Sequence, residues 1–434
     1  MREVAVVSFA QSPCVPADRE HDMAEIVLPV IREALDACGL TRDDIDFFAS
    51  GSHDFYEGRT FSYIESLDAV GAWPPISESH VEMDAAWAFA EAWAWLQLGE
   101  GQTAMVYGIG RSSLAADLDQ ILPAQLDPYL LAPLRPHRDA LAGLQARALI
   151  DAGLLTERQL AEIVSRYKDV AVDKLMDAPH VAAPLRAHDI APPGDAAAVI
   201  VLAAGDTARR LTAHPAWVRG LDHRMETHYP GVRDLTCSPS TRRAGERAAE
   251  LAGFATADVQ VAELHTEYSY QEPLLVAELG LKNAEVNPSG GPLAGWPATA
   301  TGLIRIGEAA RRIMDGTTGR ALAHATNGPA LQHNLVCLLA AQPRDPGQPR
   351  DPGQPRDAAQ PPEAAQPREP EQPREPEQPR DAGQPREPGQ PCDAAQPRDA
   401  AQPRDTAQPP EAAQARDAAP ARDAAPARDA GEAR

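Results

Sequence analysis

Apolar positions along this chain follow distinct patterns that divide it into parts. Residues 84–98, "DAAWAFAEAWAWLQL", are apolar on every helical face: Trp87 and Trp95 share one side, and Phe89, Trp93 and Leu96 occupy another. A helix of that kind is buried all round. Continuous apolar runs such as "TAMVYG" (103–108) and "AAAVIVLAA" (196–204) predict strands of a sheet covered on both faces. From Gln342 onward the pattern vanishes. That stretch repeats a hexapeptide, QPRDPG, QPRDAA, QPREPE and variants down to PARDAG, and holds no Leu, Ile, Val, Phe, Trp, Tyr or Met. It has nothing to bury against the entropy of ordering, so residues 342–434 read as a disordered, partly extended tail.

The preceding 341 residues say the same thing twice. "ALDACGLTRDDI" (34–45) and "AAELAGFATADV" (248–259) align without a gap, with Gly39 over Gly253 and Asp44 over Asp258. Each copy ends an amphipathic helix at a glycine able to take the left-handed conformation, then enters a strand, "IDFFAS" or "VQVAEL". Downstream, a helix over 84–98 leads through Gly99 and Gly101 into "TAMVYG". A helix over 301–314 leads through Gly316 and Gly319 into "RALAHA". Two matches in the same order predict an α/β protein of two duplicated halves, 1–210 and 211–341. Residues 112 to about 193, with "LLAPLRPHRDA" and "TERQLAEIVSRYKDVAVDKLM", form an insertion expected to cap the first half.

Composition narrows the function. The net charge is −23, and the tail, with 18 acidic residues and 13 arginines, leaves −18 on the first 341 residues. That argues against a nucleic-acid groove. Cys14, Cys38, Cys237, Cys337 and Cys392 form no metal-ligand spacing and no dense disulfide pattern. The start "MREVAVVSFAQS" lacks a basic region before an apolar core, and no run reaches spanning length. The expectation is a soluble, cytoplasmic protein without a resident metal or motif-bound cofactor.

The stretch "VNPSGGPLAGWPATATGLIRIGEAARRI" (286–313) resembles the second signature of the thiolase superfamily: Asn-x-x-Gly-Gly, then Gly-His-Pro, then Thr-Gly opening a helix. Asn287, Gly290, Gly291, Gly295, Pro297, Thr301 and Gly302 match, with one residue deleted before Gly295. "AELHTEYSYQEP" (262–273) is similar to the His-Asp-Ala-Phe segment of the sterol-carrier-protein-x and lipid-transfer branch. "ALAHATNGPALQHN" (321–334) is similar to that branch's closing strand and loop. The resemblance implies five stacked layers, αβαβα, with the helix at 84–98 innermost. It also implies a homodimer, and coenzyme A entering as part of an acyl-CoA substrate.

Against that pattern the chain has lost residues. The resemblance puts Ala85 where thiolases carry the nucleophilic cysteine, at a helix N-terminus that stabilises a thiolate. Trp296 stands in place of the Gly-His-Pro histidine. His265 matches the histidine that the family uses to hold the thioester oxygen. Tyr268 and Tyr270 follow it as hydroxyls able to move a proton; Asp84, as helix cap or base, His324 and Asn327 are further candidates. Asn287, Gly290, Gly291 and Gly295 are expected to let backbone approach the ligand.

Three functions stay open. One is a lyase cleaving bulky β-hydroxyacyl-CoA esters by a retro-aldol step, which needs no acyl-enzyme. The resemblance then implies a small partner with a zinc ribbon and OB-fold. The second is acyl transfer by an unrecognised nucleophile. The third is a binding subunit with a dead site.

Overall fold

While the edge strands at Glu78–Val81 and Glu285–Val286 stay partly exposed, the central strands of the main sheet take their places by burying both faces. β7 (Asp195–Ala204) shows why: Ala198, Ile200, Leu202 and Ala204 face one apolar cluster, while Ala197, Val199, Val201 and Ala203 face another. The computed structural model describes residues 2–57, 60–114 and 126–344, so the hexapeptide tail from 345 lies outside the described residues.

In the first half, β1 (Val4–Gln11), β2 (Phe47–Gly51), β3 (Glu78–Val81) and β4 (Thr103–Arg111) join β7. In the second, β8 (Ala216–Met225), β9 (Val261–Leu264), β10 (Glu285–Val286), β11 (Arg320–Asn327) and β12 (His333–Ala340) make the matching set. Hydrogen bonding runs β3-β2-β4-β7-β1-β8-β12-β11-β9-β10. Read outward from the β1–β8 join, both halves show the same sequence of pairings: antiparallel, antiparallel, parallel, parallel. The join itself is two residue pairs, Ala5 with Trp217 and Val6 with Ala216. The small hairpin of β5 (His180–Ala182) and β6 (Leu185–Arg186) stands apart.

The helices complete the layers. α1 (Met23–Cys38) and α3 (Tyr63–Val70), with the short α2 (Asp54–Glu57) between them in sequence, belong to the first half. Apolar side chains of α1 and α3 cover the outer face of its sheet. α4 (Ala85–Leu98) packs between the inner faces, in one cluster with strands of both halves and with a helix at Thr301–Met314. The first turn and one face of α4 are buried there, but Trp93 and Trp95 are half-buried and Leu98 is exposed, so the expectation of a helix buried all round holds only for its head. Trp95 closes its outer end by stacking on Phe47 at 4.8 Å.

The insertion supplies α5 (Ala140–Asp151), α6 (Glu157–Lys168) and α7 (Val172–Met176). The chain then gives α8 (Gly205–Leu211), α9 (Pro239–Ala252), α10 (Gln271–Leu279) and α11 (Thr301–Met314). α9 and α10 cover the outer face of the second half. Gly39 and Gly253 end α1 and α9 with φ of 67° and 76°, as the sequence match requires. The insertion corrects one expectation. It packs on the second half, where Ala142, Ala146 and Leu149 of α5 share a cluster with Tyr270, Leu275 and Leu279. The apolar stripe of α5 finds its partner there. Among the described residues no helix is long and apolar enough to cross a membrane.

Close approach between the halves makes some glycines obligatory. A Cβ on Gly110 of β4 would lie 1.6 Å from the carbonyl oxygen of Pro297, just before α11. A Cβ on Gly39 meets nothing within 4 Å, so only its left-handed φ is at stake. Gly110→Ala should therefore destabilise the protein by at least about 3 kcal/mol, and Gly39→Ala by about 1 kcal/mol. Urea denaturation of the two variants checks the order.

Candidate active site

Two helices point their N-termini at one carboxylate. Asp84 is the N-cap of α4; its Oδ1 accepts the backbone N–H of Ala86 at 2.8 Å and its Oδ2 accepts that of Gly302, in the first turn of α11, at 2.7 Å. One side chain thus satisfies orphan donors from both halves. Burial pushes its carboxyl up to about 6, against the pull of His265 and of the two N–H groups. The capping role expected for Asp84 is what the geometry shows, doubled.

Ala85, beside it, is fully buried. Strand glycines crowd it: a Cβ on Gly108 would come within 2.5 Å of the Ala85 Cβ, and one on Gly51 within 2.6 Å of its Cα. The position that the resemblance assigns to a nucleophile is sealed.

The open space lies at the carboxyl ends of β2, β9 and β11, where open α/β sheets characteristically hold ligands. It encloses about 230 Å³ of water-accessible volume. Phe55, Leu141, Ile190, Ala191 and Pro329 give it apolar walls, and His53, Asp139, Glu267, Tyr268, Trp296 and Asn327 its distinctive groups. Among the described lining residues there is no cysteine, serine, threonine or lysine. Asn327 Nδ2 lies 3.2 Å from His53 Nε2, and burial drops the His53 imidazole to about 4, so it is neutral near pH 7. The Trp296 ring meets Tyr56 edge-on at 5.7 Å.

The structure separates the candidate residues. His265 does not reach the cavity wall. Its Nδ1 accepts the Thr326 N–H at 3.4 Å and lies 3.9 Å from Asp84 Oδ2; its Nε2 lies 3.4 Å from Oε1 of Glu267, which does line the cavity. Glu267 therefore stands between His265 and any ligand. Tyr268 lines the cavity, but its hydroxyl donates to Asp139 Oδ1 at 2.9 Å, and burial followed by Asp139 raises the phenol well above its usual range.

Tyr270 lies away from the cavity: it is wholly buried and its hydroxyl donates to Gln145 Oε1 of α5 at 2.9 Å. Its partner and its cluster both belong to the packing of the insertion. His324 is likewise a core residue. Its Nε2 pairs with Asn334 Oδ1 at 3.0 Å, and burial lowers the imidazole to about 3.

The glycine-rich candidates do not border the cavity. Asn287, at φ 49°, accepts the Leu264 N–H through Oδ1 at 2.6 Å and so pins the end of β9. Gly290 and Gly291 carry φ of 101° and 60° to turn the chain around it. Gly295 makes room for Cys14, whose Sγ would lie 2.7 Å from a Cβ there. These residues shape the fold under the site.

Sequence reasoning passed over Glu267, His53 and Asp139. Glu267 and His53 had a readable signal, since both sit just past a buried strand, in "LHTE" and "SGSH". Asp139 had none, because its place depends on where α5 docks.

No family model matches the chain. Among curated proteins, it is 30% identical over 175 residues to an acetyl-CoA acetyltransferase of Methanothermobacter thermautotrophicus, covering 34% of this chain and 46% of that protein. An acetyl-CoA acetyltransferase of Methanocaldococcus jannaschii is 24% identical over 351 residues, covering 71% and 89%. Sterol carrier protein 2 of Gallus gallus is 30% identical over 193 residues, covering 39% and 35%. The chain thus spans less than half the length of the first and third of these relatives.

Among solved structures, human mitochondrial 3-ketoacyl-CoA thiolase superposes with a TM-score of 0.64 at 13% identity, covering 79% of this chain and 99% of that one. An Ltp2-ChsH2(DUF35) aldolase gives 0.61 at 16% identity, covering 78% and 98%. The chain has the thiolase fold, and in sequence it is similar to acetyl-CoA acetyltransferases. In this thiolase-like chain the five-layered fold is intact, while an alanine and a tryptophan stand where the resemblance puts the nucleophile and the Gly-His-Pro histidine.

Two expectations follow. A group whose folded pKa is raised contributes stability below its unfolded value and loses it as pH climbs through the folded one. For Asp84 the window runs from about 4 to about 6, and a shift of some two units is worth about 3 kcal/mol. The stability of wild type relative to Asp84→Asn should fall by that amount between pH 4 and pH 7 in urea titrations. Ala85→Cys should gain no acyl group from acyl-CoA by intact-protein mass spectrometry, since the residue is walled from the cavity. It should also lose about 1–3 kcal/mol through overpacking.

Proposed function

We propose that this protein is a thiolase-like lyase that cleaves β-hydroxyacyl-CoA esters by a retro-aldol step, without a covalent acyl-enzyme. One observation carries the reading: the described lining of the cavity offers carboxylate, imidazole, amide and phenol groups but no cysteine, serine, threonine or lysine, the side chains that most commonly carry an acyl group. Acyl transfer through the protein ordinarily uses such a group. Retro-aldol cleavage needs a base for the β-hydroxyl and hydrogen-bond donors where charge develops on the thioester oxygen. Glu267, Tyr268, His53 and Asn327 are the groups placed for those tasks. The apolar walls suit a bulky, lipid-like acyl group, and coenzyme A would enter as part of the substrate.

The aldolase among the structural neighbours supports the reaction class, and its two-component name supports a partner protein for this chain, for which the resemblance implies a zinc ribbon and OB-fold. A homodimer belongs to the same reading. Acyl transfer would have to use a less usual nucleophile, such as the Tyr268 phenol or the Glu267 carboxylate. The binding-subunit alternative draws on one feature, the Trp296 ring lining the cavity where the resemblance puts a catalytic histidine.

Incubation with (1-hydroxycyclohexyl)acetyl-CoA separates the readings. The lyase releases cyclohexanone and acetyl-CoA with no mass added to the protein. An acyl adduct at stoichiometric level would favour transfer, and tight binding without product would favour the inert subunit.

A further inference from the structure

We infer that Glu267 is the catalytic base of this site and that Asp84 and His265 are positioning residues behind it, forming a line of three groups from the helix junction to the cavity. The inference rests on the lyase reading above and assigns the work within that site.

The cavity offers three carboxylates among its described lining residues: Asp127, Asp139 and Glu267. Asp127 is committed to its own turn, accepting the N–H groups of Tyr129 and Leu130. Asp139 takes the Tyr268 hydroxyl and lies 3.4 Å from both His137 Nδ1 and Arg138 Nε. Glu267 differs. Its backbone carbonyl is fixed by the Ala191 N–H at 2.8 Å, while its carboxylate faces the cavity with the His265 imidazole 3.4 Å away. Tyr268 is tied to Asp139, and His53 Nε2 is turned to the Asn327 amide, so neither is placed to take the hydroxyl proton.

The groups behind Glu267 are ordered by backbone. Because His265 Nδ1 accepts the Thr326 N–H, the neutral ring carries its proton on Nε2, the nitrogen that faces Glu267. That Nε2 is buried and makes no hydrogen bond in the structure. An unpaired buried N–H is costly, and an acceptor, Glu267 Oε1, lies 3.4 Å from it. Asp84, locked by two helix N-termini, sets a negative charge 3.9 Å from the far side of the ring above about pH 6.

The step balances within the substrate. Glu267 takes the proton of the β-hydroxyl. The Cα–Cβ bond breaks, its electron pair passing to the thioester as an enolate while the Cβ–O bond becomes a carbonyl. The proton held on Glu267 then goes to Cα, giving ketone and acyl-CoA, with nothing oxidised or reduced.

Three variants test the assignment on (1-hydroxycyclohexyl)acetyl-CoA. Glu267→Gln should lower kcat by at least about a hundredfold with the ester's Kd within about threefold of wild type, and Glu267→Asp should recover part of the rate. Asp84→Asn removes the charge behind His265, weakens the ring's hold on the Glu267 anion, and should move the acidic limb of the kcat–pH profile upward. The ring ¹⁵N resonances of His265 should shift in both Glu267→Gln and Asp84→Asn. Cleavage by Glu267→Gln within threefold of wild type, or an unmoved acidic limb in Asp84→Asn, would overturn the base assignment while leaving the lyase intact. Ring resonances indifferent to Glu267→Gln would overturn the contact whatever the turnover. Wild type that binds the ester and forms no ketone would sink the lyase reading, and the base with it.

Discussion

Two helix N-termini meeting at one buried carboxylate is the constraint around which this structure is arranged. Each terminus brings unpaired N–H groups and about half a positive charge. Facing each other inside an apolar layer, α4 and α11 would repel and leave those donors unsatisfied. Asp84 answers both ends with its two oxygens. The solution dictates its surroundings: a Cβ on Gly302 would fall 2.5 Å from Asp84 Oδ1, and Ala85 must fit beneath Gly51 and Gly108. Small residues gather at this junction because backbone from both halves converges on it. The cost is a carboxylate buried well enough that its affinity for a proton rises.

Much of this architecture could be read from residue patterns, because the signals were local. Gly39 and Gly253 ended their helices where the aligned motifs placed them, and the apolar residues of 84–98 announced a helix whose head and one face are buried. The paired halves followed from order alone. The destination of the insertion was not legible. α5 carries an amphipathic stripe that either half could have covered, and only tertiary packing selects Tyr270 and Leu275 as its partners.

That docking also decided the fate of the tyrosines. Tyr268 and Tyr270 lie three and five residues past a conspicuous histidine, and motif logic alone makes both look chemical. Their hydroxyls instead reach Asp139 and Gln145, so both anchor the insertion and only Tyr268 borders open space. His324 shows the same limit: a histidine in an apolar strand is indistinguishable in sequence from a ligand until its partner, Asn334, is placed beside it. Glu267 was overlooked for the opposite reason. A glutamate in a polar loop looks ordinary, and its meaning comes from the cavity in front and the imidazole behind.

The helix junction also bears on why the chemistry proposed for this site is non-covalent. A thiol at the head of α4 would owe its reactivity to the positive potential of the helix end, which favours the thiolate. Here a carboxylate occupies that potential, and it claims the second helix end as well. A thiolate formed beside Asp84 would face a like charge in a buried setting, which disfavours ionisation. The absence of a cysteine is therefore matched by a local field unsuited to activating one. The same anion, reaching outward through His265, supports a carboxylate at the cavity wall instead. On this argument the fold has kept its two converging helix ends and changed what they stabilise, from a nucleophile to the charge behind a proton acceptor.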